Sequence, residues 1–77
     1  MEGLLQQIQE LMREVFENKH LIITNETSAK EIAEWNSLNH VLFIAAIEKK
    51  YTISFSLDEM ISFANVGDIV TCLKTKI

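Results

Sequence analysis

At 77 residues the chain reads as one domain, 1–77, which buries only about 60% of the surface its unfolded form exposes and so needs an efficient core. An apolar share of 48% excludes a disordered tail, and a net charge of −4 with no basic run leaves no footprint for nucleic acid. No apolar stretch reaches the roughly 18 residues of a membrane span, MEGLLQQIQE lacks the basic start and apolar run of a secretory leader, and the lone Cys72 fits a reducing cytoplasm.

The first element spans residues 3 to 17. Leu4, Ile8, Leu11 and Val15 fall on one helical stripe flanked by Leu5, Met12 and Phe16, while Gln6, Gln7, Glu10, Arg13, Glu14 and Glu17 take the wet side. Asn18 is the expected stop. From residue 18 to residue 36 no period persists. Leu21-Ile22-Ile23 is apolar, TNETS is turn-like, and AKEIAEW has room for one helical turn. So long a loop in so small a domain must be pinned down, and Leu21, Ile23, Ile32 and Trp35 are the expected pins.

The helical period returns from Ser37 to Tyr51. Tyr51 to Phe55 then alternates, with Ile53 and Phe55 inward, and Ser56 is composed as the N-cap of a short helix over residues 57 to 62. A last helix from about Val66 to Lys76 buries Val66, Ile69, Val70 and Leu73, with Lys74 and Lys76 at its negative end and Cys72 as a small buried hydrophobe. With no Pro and only Gly3 and Gly67, little interrupts these helices. The predicted architecture is all-α: a small up-down bundle of three main helices plus one short helix, with a long loop between the first two main helices.

The helix from Ser37 carries two apolar stripes. His40, Phe43, Ile44, Ile47 and Tyr51 form one; Leu38, Val41, Leu42 and Ala45 form the other. A surface helix normally has one, and 77 residues provide too little protein to cover both. Either the long loop folds over the second stripe or it stays accessible for contact, and its open N-terminal position favours contact. Asn36 suits the N-cap, where its side-chain oxygen accepts an orphan helical N–H, worth about 1 kcal/mol. Ser37 then stands in the first turn beside the positive end of the helix dipole, where an attached anion gains about 0.3–1 kcal/mol.

At these residues the chain resembles the acyl carrier proteins, members of the phosphopantetheine-binding carrier family. That family's Asp-Ser-Leu motif stands here as Asn36-Ser37-Leu38. The resemblance continues through Val41, Ile44, Ile47, Glu48, Tyr51, Ile53 and Phe55, the acidic pair Asp58-Glu59, and the closing Val66-Gly67-Asp68-Ile69-Val70. It covers essentially the whole chain. It implies that Ser37 receives a covalent 4′-phosphopantetheine arm from coenzyme A, through a separate, metal-using phosphopantetheinyl transferase. It also implies that the chain catalyses nothing and presents acyl or aminoacyl thioesters to the enzymes that load and transfer them. Asn36, Leu38, Val41, Leu42, Ala45 and Glu48 become the partner-facing residues, and a monomer is expected.

Two departures from the family stand out. Asn36 replaces the aspartate, which keeps the cap and removes a charge. The second helix offers only Glu48 as an acid, followed by Lys49 and Lys50, so docking leans on apolar contact more than on charge steering. A specialised polyketide, peptide or modified-sugar pathway is therefore favoured over housekeeping fatty acid biosynthesis. The alternative reading is a helical protein-interaction module of the same fold that carries no phosphopantetheine. A hydrolase built on Ser37 and His40, three apart on one helix, lacks an orienting group and an oxyanion site. His20, His40 and Cys72 lack the spacing of a zinc site, so no metal is expected.

Overall fold

The structure is a computed structural model that describes residues 3–77; Met1 and Glu2, which open the segment read for a leader, lie outside them. Four α-helices and one 3-10 turn follow in order: α1 (Leu4–Val15), the turn Ala29–Glu31, α2 (Ser37–Tyr51), α3 (Leu57–Ser62) and α4 (Val66–Lys74). The molecule is all-helical, and no strand occurs among the described residues. α1 packs against α2 and α4. No helix among the described residues is long and apolar enough to cross a membrane.

The core draws Ile8, Met12 and Phe16 from the α1 region, Phe43, Ile44 and Ile47 from α2, and Val66, Ile69, Val70 and Leu73 from α4. The apolar arc of α1 is centred differently from the expected stripe. Ile8 and Met12 are fully buried, whereas Leu4, Leu11 and Val15 pack partly buried at its flank. A helix wedged between two neighbours buries the middle of its arc first, and here the middle runs through Ile8, Met12 and Phe16. Gln7 and Arg13, expected on the wet side, are half-buried and bonded: Tyr51 Oη donates to Gln7 Oε1, and Arg13 Nε donates to the Leu21 carbonyl at 2.7 Å.

All four expected loop pins are buried. The loop backbone is tied as well. Ile23 N–H donates to Gln9 Oε1 at 2.9 Å, and the Thr24 N–H donates to Oγ1 of the buried Thr27 at 2.8 Å. The AKEIAEW segment forms one 3-10 turn, in which the Glu31 carboxylate accepts the Ser28 N–H at 3.1 Å and the Glu31 N–H donates to the Ser28 carbonyl at 3.0 Å. The loop also closes onto α4: Val66 and Gly67 donate their N–H groups to the carbonyls of Thr27 and Asn25 at 2.9 and 2.8 Å. Two orphan donors of the α4 N-terminus are thereby satisfied by backbone rather than side chains. A Cβ on Gly67 would lie 2.8 Å from the Asn25 carbonyl oxygen, so only glycine permits this approach.

α1 stops at Val15, earlier than expected, and α2 at Tyr51, as expected, and both ends are built alike. Beyond α1, Glu17 turns left-handed (φ 55°), and the Asn18 N–H reaches back to the Arg13 carbonyl at 3.0 Å. Beyond α2, Thr52 does the same (φ 55°), with the Ile53 N–H on the Glu48 carbonyl at 3.1 Å. These are Schellman-type ends built without glycine. α4 ends at Lys74 rather than Lys76, and Lys76 instead pairs with Glu59 of α3 at 3.1 Å. α3 buries no residue fully. Its N-terminus is held by the expected Ser56 cap, closed into a capping box with Glu59.

Candidate functional site

The start of α2 is built by the three residues before it. Trp35 is 6% exposed and packs against Phe16 and Phe43, with ring centroids 6.4 Å from each. Its N–H donates to the Ile32 carbonyl at 3.0 Å, which fixes where the loop delivers the chain. Asn36 then caps the helix as expected: its Oδ1 accepts the Asn39 N–H at 2.9 Å, and its carbonyl accepts the His40 N–H at 2.8 Å. Asn39 returns the support, its Nδ2 donating to the Glu34 carbonyl at 2.7 Å.

Ser37 follows as the first residue of α2 and is exposed. Its hydroxyl makes no hydrogen bond to another described residue, so the oxygen is open to a second protein. The N–H groups of the first turn point the same way, and their dipole favours negative charge there. Beside it opens a cleft of about 410 Å³ lined by Ser37, Trp35, His40, Met60, Ile61 and Phe63, with Ala29, Asn36 and Ala64 at its margin. A wider groove of about 610 Å³ lies between α1 and α2, but Glu10, Glu14, Lys49 and Lys50 line it and Ser37 does not.

The second stripe of α2 is uncovered. Leu38 is 69%, Val41 51% and Leu42 49% exposed, and Ala45 is exposed beside them. The long loop is held against α4 and the core, so it does not fold over this face. The first stripe is buried through Phe43, Ile44 and Ile47, with His40 and Tyr51 partly buried at its ends. Glu48, expected with the contact residues, is half-buried, and its carboxylate accepts the Phe55 N–H at 2.8 Å. It anchors the α2–α3 connection. Two contributors that sequence reading did not single out are Leu57 and Ile61 of α3, 67% and 71% exposed. Their i, i+4 spacing was the available signal.

His40 cannot serve Ser37 as a base. Its Nδ1 accepts the Trp35 indole N–H at 2.9 Å, and its Nε2 faces the Met60 carbonyl at 3.1 Å. Both ring nitrogens are engaged within the fold. Among the described residues no three His, Cys, Asp or Glu side chains converge as metal ligands.

Comparison with known proteins bears directly on this arrangement. A family model described as a phosphopantetheine attachment site matches residues 6–73. The holo acyl carrier protein of Geobacter metallireducens, solved by solution NMR, superposes with a TM-score of 0.88 at 36% identity, over 94% of this chain and 83% of that one. A Mycobacterium tuberculosis protein described as a candidate acyl carrier protein gives a TM-score of 0.85 at 18% identity, over 95% and 97% of the two chains, a likeness of fold. Among curated proteins none matches the chain.

Proposed function

The chain belongs to the phosphopantetheine attachment-site family and is a non-catalytic carrier of the acyl carrier protein type, and from that premise we propose that Ser37 is its attachment residue. The observation that carries this reading is the exposed Ser37 hydroxyl at the first position of α2, bordered by a cleft. The site fits the arm. Ser37 Oγ is reachable by a transferase; esterification replaces its proton with a phosphodiester to the 4′-phosphopantetheine of coenzyme A and releases adenosine 3′,5′-bisphosphate. When bound, the arm supplies a thiol that carries an acyl or aminoacyl group as a thioester.

The chain's own residues do the rest. The α2 N-terminus stabilises the phosphodiester charge by about 0.3–1 kcal/mol. Asn36 and Trp35 hold that terminus in place, and the cleft beside Ser37 shelters the near end of the cargo. Leu38, Val41, Leu42 and Ala45 form the face that meets the transferase and the loading and transferring enzymes. With Glu48 turned inward, this face carries no acid, which supports docking by apolar contact and a specialised pathway over fatty acid synthesis. The lone Cys72, with no second cysteine in the sequence, supports a cytoplasmic setting.

Intact mass after incubation with coenzyme A and a broad-specificity transferase tests the assignment. One phosphopantetheinyl mass is expected for the native chain and none for Ser37→Ala. No gain, or equal gain in both, leaves the alternative of an unmodified helical interaction module.

A further inference from the structure

A hydrogen-bonded bar lines the cleft beside Ser37 and joins its two sides. The Trp35 indole N–H can only donate, so His40 Nδ1, at 2.9 Å, is the bare ring nitrogen. With that nitrogen accepting, Nε2 carries the ring N–H and donates it to the Met60 carbonyl at 3.1 Å. Among the described residues this is the only hydrogen bond joining α2 to α3. α3 buries no residue fully, and this bond adds to the partial packing of Met60 in holding it beside α2. Trp35 stacks on His40 with centroids 6.0 Å apart, and the fully buried Phe43 meets the Trp35 edge.

We propose that His40 is a specificity-determining crossbar that restricts the cleft to short acyl groups, resting on the reading of Ser37 as the attachment residue. A short chain lies in the mouth of the cleft against Ile61 and Phe63 and leaves the bar intact. A longer one advances between α2 and α3 only by breaking the Nε2–H···O=C bond, which leaves the half-buried Met60 carbonyl without its partner. The loss of that bond offsets the burial of about the next two to four methylenes, so chains a little longer than butyryl gain nothing by entering.

The test loads the apo protein from acetyl to decanoyl coenzyme A with a broad-specificity transferase, and intact mass verifies each product. Melting temperature and the half-life of the thioester against hydroxylamine are then read as functions of chain length. In the native protein both level off at butyryl. In His40→Ala both keep rising, with octanoyl melting at least about 4 °C above butyryl. Trp35→Phe keeps an aromatic ring but removes the donor that fixes the tautomer, and it shows the same loss of the plateau should His40→Ala not fold. A merely structural role lowers every melting temperature together and leaves the length profile unchanged. A native profile that climbs steadily to decanoyl, or variant profiles parallel to the native one, overturns the proposal while Ser37 stands. Absence of any mass gain overturns the Ser37 assignment and the crossbar with it.

Discussion

Asn36 and Gly67 show how much one side chain decides here. At residue 36 the cap uses a side-chain oxygen, which aspartate supplies equally well. Asn36→Asp therefore keeps the Asn39 N–H bond and adds a negative charge at the positive end of α2. We expect a gain of about 0.3–1 kcal/mol by urea denaturation at low salt, shrinking as salt rises. Modification by a transferase that reads the family's aspartate should be faster in the same variant. At residue 67 the constraint is space. A Cβ 2.8 Å from the Asn25 carbonyl oxygen meets backbone, which cannot rotate away. Gly67→Ala should cost about 1–3 kcal/mol, although alanine is the better helix former, because the loop must lift off α4. Equal or higher stability in that variant would show that the loop gives way freely.

At the scale of elements, α2 was more legible than α1, whose buried arc and whose end both differ from the periodic reading. The second helix was legible from Ser37 to Tyr51, its two stripes included, because periodicity reports faces directly. The short helix was legible from Ser56 and the acids after it. The stop after α1 was not, since Glu17 takes a conformation that its own chemistry disfavours; α2 does stop at Tyr51 as expected, through Thr52 in that same conformation. Thr52 is the sharper case, being β-branched in the left-handed region. Thr52→Asn should stabilise the protein by about 0.5–1 kcal/mol in thermal denaturation, with the α2 stop unchanged. The ties between the loop and α4 were equally hidden: they are backbone bonds between distant segments, and composition carries no trace of them. At the candidate site, Ser37, its cap and its exposed neighbours could be read from sequence. The Trp35–His40–Met60 bridge could not, because one partner is a main-chain carbonyl twenty residues away.

For the whole molecule, three titrating groups frame stability against pH. The Ser56 N–H, then the Lys76 ammonium, hold Glu59 below its ordinary 4.5. Its contribution is complete above that value and is lost as pH falls through the lower folded one. Burial, then the Glu59 carboxylate, raises the Cys72 thiol above 9.0, and burial raises Tyr51 above 10.0. Their contributions are complete below those values and are lost as pH rises through the folded ones. Urea midpoints should fall as pH drops through the Glu59 range and as it rises through the Cys72 and Tyr51 ranges. Cys72→Ala should move the alkaline fall upward, toward the tyrosine range, and an unmoved edge would assign it elsewhere.

The stretch between α1 and α2 inserts four side chains into the core and bonds its backbone to α4, so it comes apart only with the rest of the fold. Ser37 consequently stands on a pedestal with no slack on that side. Under the proposed attachment at Ser37, whatever swing a tethered passenger has must come from its own rotatable bonds or from α3 across the cleft, and encounters with a second protein begin from a fixed point of departure.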